Sequence, residues 1–321
     1  MKIYLAPMEG ITTYIYRNAY QKYYGGIDIY YTPFVANRKL KSRELADVLP
    51  DNNKVLSIVP QILTNQTDVF LEITSQLYDM GYNEVNLNLG CPSGTVVAKH
   101  RGAGFLNDQR ELEKFLDIIY EKSPLPISIK TRLGIDSLYE WEDLLVMYKK
   151  FPIKELIVHA RTLNQGYNGT PSLDAFHMAQ DILSCPLCYN GDIIDITSYK
   201  KLIAICPDTK AVMLGRGAIA NPMLPQILIA DNLLHDNNNT NTNLTAKTTG
   251  SDTFISFHDE LLERYREYMS GDQPVLYKMK ELWTFWSQNM NIDKKALKKI
   301  KKAQSLNVYQ HIVNELILSN S

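Results

Sequence analysis

The sequence predicts an α/β chain: an eight-stranded parallel (β/α)8 barrel of the TIM type, followed by a small bundle of helices. Three observations predict it. Short apolar runs rich in β-formers recur eight times, most of them separated by helical stretches. The composition shifts abruptly after Leu234, and four amphipathic segments follow that shift. A chain of 321 residues is long enough for such a barrel with a helical appendage.

The runs are KIYLA (2–6), DIYYTPF (28–34), VLSIVPQI (55–62), EVNLNLG (84–90), PISIKTR (126–132), KELIVHA (154–160), PLCYNGD (186–192) and AVMLGRG (211–217). Between them, TDVFLEITSQLYDMG (67–81) places Phe70, Ile73 and Leu77 at helical spacing before a terminating glycine. In DQRELEKFLDIIYEK (108–122), Asp108 stands at the N-cap, and Leu112, Phe115, Leu116 and Ile119 share one face. Strands alternating with helices imply a parallel sheet, and eight such units close a barrel. The segment 235–252, HDNNNTNTNLTAKTTGSD, has too few apolar groups to offset its ordering entropy and reads as a linker or insert. Helical patterns follow at 254–270, 274–290, 293–303 and 306–319. The expected domains are therefore a catalytic barrel over 1–234, a linker over 235–253 and a helical domain over 254–321.

Composition narrows the class. Hydrophobic content of 45% with 21% charged residues is that of a globular protein, and no apolar run is long enough to span a bilayer. MKIYLAPMEG enters a strand at once, without a signal-peptide pattern, and four cysteines make no disulfide framework. Both features lead to an expectation of a cytoplasmic protein. The net charge of −1 excludes a uniformly basic coat but allows a local basic patch. The CxxC pair Cys185 and Cys188 has no second pair or histidine to complete a tetrahedral site. No metal is expected, and Cys185, Cys188 and Cys206 read as packing residues.

In a β/α barrel the chemistry sits at the C-terminal strand ends. Here those ends carry Pro7, Met8 and Glu9; Gln61; Asn88 and Cys91; Lys130 and Arg132; His159 and Arg161; Asn190, Gly191 and Asp192; and Gly215 and Arg216. So many functional side chains in those positions point to an enzyme. The last two ends, NGDI and LGRGA, have the glycines and the cation that a phosphate needs, although glycines also serve in tight turns. A cofactor with a single phosphate fits better than a dinucleotide, since no GxGxxG follows a strand and GAGF (102–105) is too short. Lys130 is a candidate Schiff-base amine or a hydrogen-bond donor to an electron-rich ring. His159 and Arg161 read as i and i+2 on one strand face. Cys91, between Gly90 and Pro92 where a strand breaks, is held as a reachable thiol would be.

LAPMEGIT, NLNLGCPSGTV followed by RGAGFLND, SIKTRLG, IVHARTLNQGYNG, YNGDI and VMLGRGA occur in an order and spacing that resemble the tRNA-dihydrouridine synthases. The likeness covers most of 3–220 and is most specific around Cys91. Beyond 254 it extends only to the position and size of the family's tRNA-binding domain. The Asn/Thr-rich insert and the bulky Lys99-His100-Arg101 lead-in depart from the pattern. The resemblance implies FMN-dependent reduction of the C5–C6 bond of particular tRNA uridines, with NADPH (or NADH) as reductant and Cys91 as proton donor to C5. It implies that Pro7, Met8, Glu9, Gln61 and Lys130 line the flavin. It further implies that His159, Asn190, Gly191, Asp192, Gly215 and Arg216 hold the ribityl phosphate. Asn88, Arg132 and Arg161 are candidates to orient the target uracil or its phosphate.

A uridine must leave its stack to be reduced, so the enzyme needs grip on RNA. KKALKKIKK (294–302) offers Lys294, Lys295, Lys298, Lys299, Lys301 and Lys302 without an acid, beside His100 and Arg101 of the barrel as further candidates. A plain solvated face is the default reading of such a run, but on a second domain beside an RNA enzyme a phosphate-contacting stripe is the stronger one. Trp283 and Trp286 read as bundle core. The rival functions are an FMN barrel acting on a small molecule, a Schiff-base lyase using Lys130, and a non-catalytic tRNA-binding protein. No obligate protein partner is implied.

Overall fold

The structure, a computed structural model, describes residues 1–54, 57–236, 252–289, 292 and 294–318. The chain divides into two compact units. The first comprises Met1–Tyr14, Ile27–Ile193 and Thr197–Gly215; the second comprises Ile15–Gly26, Ile194–Ile196 and Arg216–Ser321. Most of the predicted linker, 237–251, lies outside the described residues.

The first unit is a parallel barrel of β1 (Lys2–Leu5), β2 (Ile29–Tyr31), β3 (Ile58–Val59), β4 (Gln61–Ile62), β5 (Val85–Leu89), β6 (Ile127–Thr131), β7 (Leu156–His159), β8 (Leu187–Asn190) and β9 (Ala211–Leu214). Their order is β3-β2-β1-β9-β8-β7-β6-β5-β4. Among the described residues nine strands replace the expected eight because the run 55–62 is interrupted, and Val55 and Leu56 lie outside the described residues. Pro60 has no N–H for the ladder, so the strand changes partner there: β3 pairs with β2, and β4 with β5. The ring still closes across this break. Val35 N–H donates to the Gln61 carbonyl at 2.8 Å, and Leu63 N–H to the Val35 carbonyl at 2.9 Å.

Strands covered on both faces bury every residue, as β5 does. On the inner face Tyr4, Ala6, Tyr31, Val59, Ile157, Cys188, Ala211 and Met213 form one apolar cluster. Cys188 and Cys206 are thus core residues and Cys185 is half-buried, as the sequence indicates. The helices over Thr67–Asp79 and Gln109–Lys122 form as their periodicity predicts, and Asp108 caps the second by accepting from Glu111 N–H at 3.1 Å.

The second unit holds the helices Leu224–Asp236, Asp252–Tyr268, Asp272–Trp286, Lys294–Lys302 and Leu306–Leu318, together with most of Tyr14–Tyr23. Trp283 and Trp286 are buried, as expected of bundle core. Phe257 packs edge-on against Tyr24 at 5.2 Å, Tyr16 at 5.6 Å and Trp286 at 6.1 Å. Tyr309 Oη accepts from Trp283 Nε1 at 2.7 Å and meets His258 Nε2 at 2.6 Å, so these three polar side chains of the core are matched to one another. No helix among the described residues is long and apolar enough to cross a membrane.

Candidate active site at the mouth of the barrel

The alternation Asn86-Leu87-Asn88-Leu89 places leucines outward, under the helices, and asparagines inward. A polar side chain inside a barrel needs partners, and Asn88 finds them in its own strand end. Its Oδ1 accepts from Gly90 N–H at 3.0 Å and Cys91 N–H at 2.9 Å, an Asx turn that withdraws both donors from the sheet. This is why the strand stops before Cys91. Asn88 Nδ2 in turn donates to Gln61 Oε1 at 2.7 Å.

The loop that follows is packed on the cysteine. Ala103 N–H donates to the Cys91 carbonyl at 3.1 Å. Gly102 has φ +56°, and a Cβ there would stand 2.9 Å from that carbonyl and 3.0 Å from Cys91 Cβ. A Cβ on Gly104 would meet the Val97 backbone at 2.9 Å. The glycines of GAGF therefore serve close packing of this loop. Burial pushes the half-buried Cys91 thiol above its ordinary range, with Lys130 and Arg132 opposing the shift. The thiol is protonated at neutral pH, as a proton donor must be.

Lys130 faces the interior from β6, in register with Asn88 and Ile157. Its ammonium makes no hydrogen bond or ion pair with a described residue. Burial, and secondarily Arg132, push its pKa down to about 8 from 10.5. Arg132 is fully buried; its Nε donates to the Gly90 carbonyl at 2.8 Å and its Nη1 to the Thr162 and Gly166 carbonyls at 2.9 and 2.8 Å. Its Nη2 is buried with no partner among the described residues. Gln61 and Asn88 each retain a second amide N–H that no described residue accepts. These free donors suit an electron-rich ring bearing several acceptors, which is a fit set by the donor chemistry.

On the other side of the mouth, β7 ends at His159, two residues short of the Arg161 that the i and i+2 reading requires. Arg161 instead follows a tight turn, its N–H donating to the His159 carbonyl at 2.6 Å. The turn brings the side chains together all the same, His159 Nε2 lying 3.5 Å from Arg161 Nη1. The Arg161 guanidinium is fully buried on the Asn168 and Gly169 carbonyls and on Asp192. Asn190 donates to the Met213 carbonyl at 2.8 Å. Gly191 admits no side chain, because a Cβ would meet Tyr189 Oη at 2.7 Å and Pro171 at 2.9 Å. The Gly215 Cβ position lies 3.8 Å from Met8 Sδ, joining β9 to the turn after β1. That turn is fixed by Thr12 Oγ1, which accepts from Met8 N–H at 2.8 Å, and leaves Glu9 exposed on Arg43 at 3.0 Å. Pro7 stands at its start, half-buried. Arg216, half-buried, opens the helix Arg216–Ala220.

His100 is exposed with φ 51°, lining a groove of about 700 Å³ with Asn65, Asp68, Phe105 and Lys114. Arg101 Nε donates to Asn65 Oδ1 at 3.3 Å. The six lysines of Lys294–Lys302 are all exposed, and Ile300 is buried on the opposite face. Two residues of interest escaped the sequence reading. Tyr167 lies over Arg132 at 5.5 Å and tilts against His159 at 6.1 Å, and the NQGYNG loop was the signal for it. Asn86, whose Oδ1 accepts from Gln61 Nε2 at 2.8 Å, was signalled only by the polar beat of NLNL.

Holding Lys130 inside the barrel costs stability. Between pH 8 and 10.5 the unfolded chain binds a proton that the folded chain has released, so stability rises with pH across that window. Below it the full penalty remains, on the order of 3 kcal/mol. Lys130→Met is expected to stabilise the flavin-free protein by that order at pH 7 and to flatten the rise toward pH 10. Urea unfolding at both pH values measures it, and an unchanged midpoint at pH 7 would contradict the burial penalty.

A family model described as dihydrouridine synthase (Dus) matches residues 4–316. The chain is 30% identical over 240 residues to a tRNA-dihydrouridine(16) synthase of Shigella flexneri, covering 71% of this chain and 75% of that protein. It is 25% identical over 232 residues to a probable tRNA-dihydrouridine synthase of Rickettsia typhi, covering 69% and 68%. Among solved structures, a 2-naphthoyl-CoA reductase complex matches with a TM-score of 0.54 at 10% identity, over 72% of this chain and 50% of that one, a likeness of fold alone. With a barrel whose mouth presents a protonated Cys91 among unpartnered donors, and a family match along nearly its whole length, the chain belongs to the dihydrouridine synthase family.

Proposed function

We propose that this dihydrouridine synthase reduces the C5–C6 bond of one uridine of tRNA, with FMN as its flavin and NADPH as reductant, in the cytoplasm. The observation that carries the reading is the Cys91 thiol, protonated and pinned by Asn88 beside the free donors of Lys130, Arg132 and Gln61. When bound, reduced FMN supplies the hydride to C6. Cys91 gives its proton to C5, and the resulting thiolate recovers a proton from solvent, so the product is 5,6-dihydrouridine. Lys130 and Gln61 hydrogen-bond the electron-rich edge of the flavin, while Pro7, Met8 and Glu9 line it. His159, Asn190, Gly191, Asp192, Gly215 and Arg216 hold its ribityl phosphate. Arg161 acts within that group by fixing Asp192 and the loop around Asn168. Arg132 Nη2 and Asn88 Nδ2 face the uracil.

The helices from Asp252 onward hold the tRNA, with His100 and Arg101 as further contacts. Uridine 16 is the proposed position, after the relatives whose names state one.

The test begins with the visible spectrum of the purified protein, expected to show oxidised flavin that NADPH bleaches. Arg216→Ala is expected to weaken FMN retention by on the order of 1.5–3 kcal/mol, the value of a charge-assisted contact. Incubation with tRNA lacking dihydrouridine should place the modification at position 16, read by mass spectrometry of nuclease fragments. A protein that neither carries nor binds FMN would overturn the flavin reading. Dihydrouridine at another position would overturn the positional one alone.

A further inference from the structure

We infer that Asn86 is a positioning residue for Cys91, acting through a one-way relay of hydrogen bonds inside the barrel. The inference rests on the reading of Cys91 as proton donor. The relay runs over Asn88, Gln61, Asn86 and Ser128. Asn88 Nδ2 donates to Gln61 Oε1 at 2.7 Å, and Gln61 Nε2 to Asn86 Oδ1 at 2.8 Å. Asn86 Nδ2 then donates to Ser128 Oγ at 3.0 Å, and Ser128 to the Val85 carbonyl at 3.4 Å.

An amide side chain alone does not settle which end is oxygen. Here the backbone settles it. Gly90 and Cys91 N–H can only donate, so Asn88 must turn Oδ1 to them and Nδ2 to Gln61. Gln61 must then offer Oε1 and turn its Nε2 to Asn86, which must present Oδ1. The direction propagates from the cysteine loop to Ser128 without an alternative that leaves every bond matched.

The same logic runs backwards. Gln61, Asn86 and Ser128 are fully buried and Asn88 is 7% exposed, so a mismatched donor has no water to turn to. Without an acceptor at position 86, the buried Gln61 Nε2 is left unmatched, so the amide gains by leaving this rotamer, and its Oε1 then leaves Asn88 Nδ2. Asn88 loses the anchor that directs its Oδ1 at the Cys91 turn. Asn86 touches neither the thiol nor the open mouth, so its effect on the thiol is transmitted.

Asn86→Asp and Asn86→Leu separate this role from simple packing. A protonated aspartate accepts from Gln61 and donates to Ser128, reproducing both bonds at the same volume. Leucine fills the space and reproduces neither. The first readout is alkylation of Cys91 by iodoacetamide from pH 7 to 10, resolved by peptide mass spectrometry with Cys185 as reference. Asn86→Leu is expected to speed Cys91 alkylation at pH 8 by about tenfold, as a released loop brings the thiol back toward its ordinary pKa. The second is dihydrouridine formation, where kcat is expected to fall about 10²-fold with the KM for tRNA unchanged. Asn86→Asp is expected to restore both to within a few-fold.

A wild-type alkylation profile in Asn86→Leu, or an aspartate variant as impaired as the leucine one, would overturn the relay. Should the leucine variant fail to fold, Asn86→Val, a smaller β-former, is read by the same criteria. Alkylation needs no tRNA. A profile that moves in a protein making no dihydrouridine therefore keeps the relay and discards the proposed function, and an unmoved profile in an active enzyme does the reverse.

Discussion

Replacing Cys91 by alanine is expected to lower dihydrouridine formation by about 10²–10⁴-fold, the usual cost of losing a general acid. The loss should fall on the step that delivers a proton to C5. Flavin binding and its reduction by NADPH should persist, because the groups proposed to hold the cofactor are other side chains. The fold should persist as well. Cys91 contributes its backbone N–H and carbonyl to the Asx turn and to Ala103, and alanine keeps both. Because burial raises the thiol's pKa, the wild-type rate should stay level through neutral pH. It should decline only above the ordinary thiol value of about 8.5. That alkaline limb should vanish in the residual activity of the alanine variant. The measurement is single-turnover reduction of tRNA by pre-reduced enzyme across pH, for both proteins. Near wild-type turnover in Cys91→Ala would assign the proton to another donor, with Lys130 next in reach.

Reversing Lys295, Lys298 and Lys302 to glutamate is expected to weaken tRNA binding by on the order of 10–100-fold at low salt, if the helix tracks phosphates. The physical case is the arrangement on the helix. Ile300 is buried, the six lysines are exposed, and none of them pairs with a described acid. Nearby cations are already occupied, Lys278 by Glu281 and Lys280 by the Ala303 carbonyl. A lysine row without counter-charges costs repulsion unless an anion covers it. Each lost phosphate contact should make the log–log salt slope shallower by about one unit. Reduction of the flavin by NADPH should not change, and neither should the melting temperature, since solvated lysines add little to stability. Binding isotherms at several salt concentrations test this. Equal affinities and slopes for the two proteins would make the row a plain solvated face and transfer the RNA contact to His100 and Arg101.

The sequence by itself determined the repeating strand–helix order, the residues at the strand ends and the place of Cys91 just beyond a strand. These are local properties, written in side-chain periodicity and in the turn chemistry of Asn, Gly and Pro. Ring closure decided the rest. It placed Pro60 at a change of partner, ended β7 at His159, and brought Gln61 against Asn86 and Asn88, 25 and 27 residues away. It also set Arg132 on the carbonyls of Thr162 and Gly166, 30 and 34 residues away, which no spacing in the chain announces. Helix Tyr14–Tyr23 likewise meets helix Asp252–Tyr268, more than two hundred residues on, through ring contacts with Phe257 and the bonds of Lys22 and Tyr23 to Glu260. Periodicity states which side of a strand or helix is buried. The partner of a buried donor depends on which strands become neighbours, and the barrel's topology alone sets that.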